Sequence, residues 1–158
     1  MTKNNHFLPL ALVLSLHLFL LTNTKFTLWP EMVVYPYLIN NGFQLYKDVI
    51  NPYMPFFAYF LALISKLFGY QPLAFQLLTW IVIAIIDILI FLISQKIFKK
   101  SSHALISTTF FVLLSVPLLI NGLWYDLIQT PFIIASVYFF YNFLKNPKSK
   151  KFLFWTSL

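Results

Sequence analysis

The sequence predicts an all-α protein, a polytopic transmembrane helical bundle with one extracytoplasmic loop carrying short juxtamembrane helices. Three observations carry that prediction. The 158 residues are 60% hydrophobic and 20% aromatic with only 9% charged, more apolar surface than a soluble domain of this size can bury. The apolar residues come in long runs without the dyad alternation of a transmembrane barrel, and in lipid the backbone must satisfy its own hydrogen bonds, which leaves helices. The formal charge of +7 comes from eleven lysines and no arginine, gathered at the ends of apolar runs. Such a pattern suits membrane topology and not a basic nucleic-acid face. The expected surroundings are therefore a lipid bilayer, with no nucleic-acid partner, and the expected location is the cell membrane as a multi-pass integral protein.

The elements follow in order as one membrane domain over 1–158. A short polar start, MTKNNH, precedes an apolar run over 7–24, long enough for a first span. No small-x-small cleavage site follows it, so it reads as an uncleaved anchor and not a signal peptide. Residues 25–52 form an external loop in which charged, amide, aromatic and proline residues interleave. Further spans are expected over 73–97, 104–120 and 127–144, joined by KKSSH and NGLWYD. After the basic link KNPKSKK, residues 152–158 read as the start of another span, so the chain is expected to be the N-terminal portion of a longer protein.

The segment 53–68 is the difficult one. Between Pro55 and Gly69 lie 13 residues, about 20 Å as a helix against a hydrocarbon core of roughly 30 Å. If the N-terminus is cytoplasmic and this helix is re-entrant or interfacial, Lys3, Lys96, Lys99, Lys100, Lys145, Lys148, Lys150 and Lys151 lie inside, and Lys25, Lys47 and Lys66 outside. That division, eight against three, obeys the positive-inside rule. An external N-terminus with five true spans gives nine against two and remains open on charge alone. The first arrangement is preferred for the shortness of the segment and its prolines at 52 and 55. It places Glu31, Asp48, the link at Gly69 to Pro72 and Asp126 on one external face.

Trp29-Pro30-Glu31 reads as the start of a short helix, with proline tolerated in the first turn and a carboxylate at the positive end of the macrodipole. Pro36 is expected to kink or end that helix early. Glu31 is then either a helix-start charge or a general base beside an interfacial tryptophan. Asn40-Asn41-Gly42 signals a turn. Lys47 could offset phosphate charge and Asp48 could hold it or bind a sugar hydroxyl, against the plainer reading of a solvated loop ion pair. Asp87, near the middle of a span, either faces a cavity or is protonated and bonded to a neighbouring helix. Asp126 sits in an aromatic-belt turn beside Trp124 and Tyr125. Cysteine is absent, His6, His17 and His103 are scattered, and no HExxH, DxD, Walker or Gly-rich phosphate motif occurs, so neither a metal nor a cofactor is expected.

The layout resembles the N-terminal part of the GT-C superfamily of membrane glycosyltransferases, in particular bacterial relatives of protein O-mannosyltransferases and aminoarabinose transferases. The shared residues are Glu31 soon after the first span, Gly42-Phe43-Gln44-Leu45-Tyr46-Lys47-Asp48, the proline-rich Asn51-Pro52-Tyr53-Met54-Pro55, and Lys66-Leu67-Phe68-Gly69. The resemblance implies an enzyme that takes a sugar from a polyprenyl-phosphate donor at the external face, with Glu31 as base on the acceptor hydroxyl. Lys47, Asp48, Gln76 and Asp126, all expected on that face, are the candidate substrate-binding residues. Two departures stand out. Many relatives carry an arginine where this chain has Gln76, and some a lysine where it has Met54, which leaves Lys47 as the substitute cation for the phosphate. A transporter or flippase portion with Asp87 as an ion relay, and a non-catalytic scaffold, are the competing readings. The sugar, the acceptor and the oligomeric state are not legible.

Overall fold

The computed structural model describes residues 7–118 and 121–145. Among them six helices and two very short strands follow in the order α1 (Phe7–Thr22), β1 (Thr27–Leu28), α2 (Glu31–Asn40), α3 (Pro55–Phe68), α4 (Pro72–Phe98), α5 (Ser101–Ser115), β2 (Gly122–Leu123) and α6 (Tyr125–Lys145). The all-α class is as the sequence predicts. The expected polar start at 1–6 and the helix start at 152–158 lie outside the described residues.

Helices α4, with 27 residues, and α6, with 21, are long and apolar enough to cross a membrane, whereas α1, α3 and α5 are shorter apolar helices. At 1.5 Å per residue the two long ones reach roughly 40 and 32 Å, against a hydrocarbon core of about 30 Å. Only 33% of the apolar window of α4 and 17% of that of α6 are buried, so neither is the core helix of a soluble domain. The outward faces are apolar too, unlike those of a soluble protein. On α4, Leu77, Ile81, Ile85, Ile88 and Leu92 point outward, while Thr79, Asp87 and Ser94 are buried. Thr108 and Ser115 of α5 and Asn142 of α6 likewise face inward. Small polar residues among the buried apolar ones and large aliphatic residues on the outside suit packing in lipid, where burial of hydrocarbon gives little advantage and close contact gives more. The inward hydroxyls are satisfied within their own helices, Thr79 Oγ1 donating to Phe75 O at 2.7 Å and Thr108 Oγ1 to Ala104 O at 2.9 Å.

Helices α4 and α5 form an antiparallel hairpin across a two-residue link. Lys99 there adopts a left-handed conformation with φ 55°, and its N–H bonds back to Gln95 O. The ends of α1 and α5 and the beginnings of α4 and α6 thus share one end of the bundle, the loop face. Lys96, Lys99, Lys100 and Lys145 lie at the opposite helix ends. The loop face is held by parallel pairing of β1 with β2, Thr27 opposite Gly122 and Leu28 opposite Leu123. It is held more firmly by Asn121, 5% exposed. Its amide nitrogen donates to Leu21 O at 2.9 Å and to Thr24 O and Thr24 Oγ1 at 3.0 Å, and its oxygen accepts the indole N–H of Trp80 at 3.1 Å. One side chain therefore joins α1, α4 and the α5–α6 turn. Replacing Asn121 by alanine strands a buried indole N–H and a carbonyl, and the expected loss is about 2–3 kcal/mol, read as a lower midpoint of denaturant unfolding in detergent micelles.

Two boundaries depart from expectation. Pro36 does not end α2, which continues through it to Asn40. Proline removes only the bond to the carbonyl four residues back, and here its ring is buried against the protein, so packing offsets the lost bond. Helix α5 runs Ser101–Ser115 where 104–120 was expected, because Val116 to Leu118 form a turn. Helix α3 is tied at both ends to the loop face. Tyr53, just before it, stacks on Tyr125 at the start of α6 with ring centroids 4.0 Å apart. Beyond it, Gly69 turns the chain at φ 75° into α4, and the Asn40 amide donates to Ala62 O and to the Tyr70 hydroxyl.

Candidate active site on the loop face

An apolar cluster underlies the loop face. Met32 of α2, Phe57 and Leu61 of α3, Phe75 of α4, Leu123 of β2 and Tyr125 and Ile128 of α6 pack together and are all buried. Three of the sequence-predicted site residues are chain neighbours of this cluster: Glu31 beside Met32, Gln76 beside Phe75 and Asp126 beside Tyr125. The cluster thus brings together backbone segments that lie up to 95 positions apart (126 − 31).

Glu31 opens α2. Pro30 caps the helix with φ −51° and no side-chain bond, and the first backbone bonds run from Met32 N to Trp29 O at 2.9 Å and from Val34 N to Pro30 O at 2.9 Å. The Glu31 side chain is half-buried and takes no part in capping. Burial is the main influence on the Tyr125 hydroxyl, and Tyr35, Tyr53, Glu31 and Tyr46 add smaller electrostatic ones. A carboxylate next to exposed Trp29 is a group able to accept a proton, in a region rich in aromatic faces that can stack.

Lys47 and Asp48 lie on the loop between α2 and α3. Tyr46 is held at φ 67°, and its hydroxyl donates to Tyr53 O. Asp48 Oδ2 accepts the Gln44 N–H at 2.9 Å while Asp48 N–H bonds to Gln44 O at 2.9 Å, so this carboxylate closes its own turn. Among the described residues Asp48 forms no ion pair with Lys47, whose side chain is exposed. Gln76 is half-buried on the second turn of α4, and Asp126 is exposed on the first turn of α6.

The loop face also holds polar groups that the sequence did not single out as a site. Asn51 Nδ2, Trp124 Nε1 and the Tyr125 hydroxyl are buried and have no hydrogen-bond partner among the described residues. Buried donors are almost always paired, so these three depart from the usual pattern. Asn51 is fixed by its other end, its Oδ1 accepting Tyr53 N–H at 3.0 Å. Trp124 and Tyr125 were legible only as belt aromatics, and nothing local in the sequence marks Asn51 as buried. Among the described residues no group of three His, Cys, Asp or Glu is placed to hold a metal.

A second polar constellation lies inside the bundle. His17 Nδ1 is 2.8 Å from Asp87 Oδ2, and His17 Nε2 is 2.9 Å from Ser115 Oγ, which donates to Val112 O at 2.8 Å. All three residues are 1% exposed, and the imidazole also meets the edge of Phe111. Asp87 thus has a neighbouring-helix partner and borders a groove. Sequence reading set His17 aside as one of three scattered histidines. The available signal was that an ionisable residue inside a span generally has a partner in another.

Apolar outward faces, inward polar residues and a carboxylate beside an exposed tryptophan at one end define a helical membrane protein with a chemically equipped loop face. Residues 51–158, more than half of the chain, match the family described as dolichyl-phosphate-mannose-protein mannosyltransferase, and the chain belongs to that family of GT-C type membrane glycosyltransferases. The matched stretch contains Asn51, Tyr53, Gln76, Tyr125 and Asp126, and begins after Glu31, Lys47 and Asp48. No curated protein and no solved structure matches the chain.

Proposed function

We propose that this chain serves a polyprenyl-phosphate-sugar-dependent glycosyltransferase acting at the external face of the cell membrane as a multi-pass protein. The family match over 51–158 is the observation that carries the reading, since the family's own description names a dolichyl-phosphate-linked sugar. In this reading Glu31 takes the proton from an acceptor hydroxyl while that oxygen attacks the anomeric carbon. The bond from the anomeric carbon to the phosphate oxygen breaks, the phosphate leaves with the electron pair, and the configuration inverts. Asn51, Trp124 and Tyr125 offer hydrogens to sugar or phosphate oxygens, and the four tyrosines supply the stacking surface. Lys47 offsets phosphate charge, with Gln76, Asp48 and Asp126 at the rim of the site.

The same proposal puts the loop face outside and α3 along the membrane surface. Support comes from the lysines gathered at the opposite helix ends and from the ties that hold both ends of α3 to the loop face. Because the chain has no cysteine, single cysteines can report on it. Cysteines replacing Gln44 and Gln71 are expected to react with an impermeant maleimide added to intact cells, and one replacing Ser101 only after permeabilisation. Protection of position 44 in intact cells would sink the external-site reading.

A further inference from the structure

We propose that the end of the bundle opposite the loop face binds the headgroup of an anionic phospholipid, held by Lys96, Lys99, Lys100 and Lys145. Lys96 lies in the last turn of α4, Lys99 and Lys100 form the link to α5, and Lys145 ends α6. The Lys96 ammonium stands 4.9 Å from the centroid of the Tyr138 ring, so the end of α4 lies beside the last turns of α6. The Lys145 ammonium stands 4.4 Å from the Tyr141 ring. Tyr138, Tyr141 and Lys145 follow the i, i+3, i+7 spacing of one helix stripe, and that stripe therefore carries both ammoniums. A ring face attracts the ammonium above it and so keeps it in place. Each ammonium has three N–H donors, which leaves donors free on the side away from the ring. Lys99, Lys100 and Lys145 are exposed and Lys96 is half-buried, so a headgroup at the bilayer surface can reach them.

Charge and hydrocarbon together select the ligand. Among the described residues none of the four lysines forms an ion pair. The four acidic residues of the chain lie elsewhere. Glu31 opens α2, Asp48 closes a turn in the α2–α3 loop, Asp126 is on the first turn of α6, and Asp87, nine residues before Lys96 (96 − 87), is bonded to His17. Four positive charges with no carboxylate among them attract a net-negative partner. Beside them Ile97, Phe98 and Leu144 are exposed, an apolar surface that acyl chains would cover and a soluble anion would not. A phosphatidylcholine headgroup supplies the phosphate but also a choline cation, for which this end offers no carboxylate. A headgroup with net negative charge brings no such cation, and lysines beside a membrane span attract it by about fivefold each. The inference does not rest on the glycosyltransferase reading: none of these residues belongs to that site, and the test reads no sugar transfer.

The test is native mass spectrometry of the full chain in detergent micelles, titrated with phosphatidylglycerol or with phosphatidylcholine of identical acyl chains. The first phosphatidylglycerol is expected to bind with a Kd about 25-fold below that of the first phosphatidylcholine, about fivefold for each of the two ammoniums on the α6 stripe. The preference should shrink as ammonium acetate is raised, because exposed charges are screened. An excess of glycerol 3-phosphate, which has the phosphate without the acyl chains, should not displace the lipid. In the combined variant Lys96→Gln, Lys99→Gln, Lys100→Gln, Lys145→Gln the two lipids should become equivalent. The pair Lys25→Gln with Lys66→Gln, between α1 and β1 and in the last turn of α3, should keep the preference. Equal affinities in the parent, a preference indifferent to salt, displacement by glycerol 3-phosphate, a preference that survives in the fourfold variant, or an equal loss in the Lys25, Lys66 variant would each overturn the proposal. Helical circular dichroism and monodisperse elution establish that every variant is folded.

Discussion

Glu31→Gln is expected to lower sugar transfer by about 10²- to 10⁴-fold, the usual contribution of a positioned general base, while leaving insertion intact. The substitution keeps the size and the hydrogen-bonding reach of the side chain and removes only its capacity to take a proton. The fold gives little reason for a structural effect: Glu31 is half-buried, caps nothing through its side chain, and sits at a helix start that Pro30 and backbone bonds already define. The measurement is transfer of labelled mannose from dolichyl-phosphate-mannose in membranes containing the full chain, with maleimide labelling of a cysteine at Gln44 as the control for insertion. Unchanged transfer would remove Glu31 from the mechanism. The competing transporter reading gives the opposite pattern, with Asp87→Asn affecting flux and Glu31→Gln leaving it unaltered.

Breaking the buried pair has the largest expected effect on stability. His17→Ala or Asp87→Leu leaves one member of a 2.8 Å pair without its partner in a site that is 1% exposed. Removing one partner of a buried ion pair typically costs about 3–5 kcal/mol. Each single variant should therefore unfold at markedly lower denaturant concentration in detergent micelles. The combined His17→Phe, Asp87→Leu variant should recover most of the loss, since apolar side chains of similar volume often substitute for such pairs without net cost. Losses in the two single variants that simply add in the combined one would mean that the two residues act separately.

Helix content was the most legible part of the fold, because the length and composition of an apolar run are local properties. Runs at 7–24, 73–97 and 127–144 became α1, α4 and α6 with small shifts at the ends. Helix ends were less legible. Pro36 is a helix breaker in isolation, but its ring is buried in packing that no local rule registers. The end of α5 at Ser115 reflects the turn leading to Asn121, whose partners Leu21 and Trp80 lie 100 and 41 residues away.

Of the candidate site, residue types were visible and company was not. Glu31 could be named as a carboxylate following the first span, and Asp87 as an ion inside another, because a charge in an apolar sequence stands out. That Tyr53 stacks on Tyr125, or that Asp87 meets His17 across 70 residues, depends on which helices are neighbours and how each is rotated. In lipid the outward and inward faces of a helix are both largely apolar, so a hydrophobic pattern does not reveal that rotation. The sequence by itself determined that the chain is a helical membrane protein with most of its lysines at the ends of apolar runs. Only the tertiary structure decided which of those residues meet, because a few small and polar side chains such as Asn121, Ser115 and Thr79 set the helix packing, and each carries little signal until its distant partner is beside it.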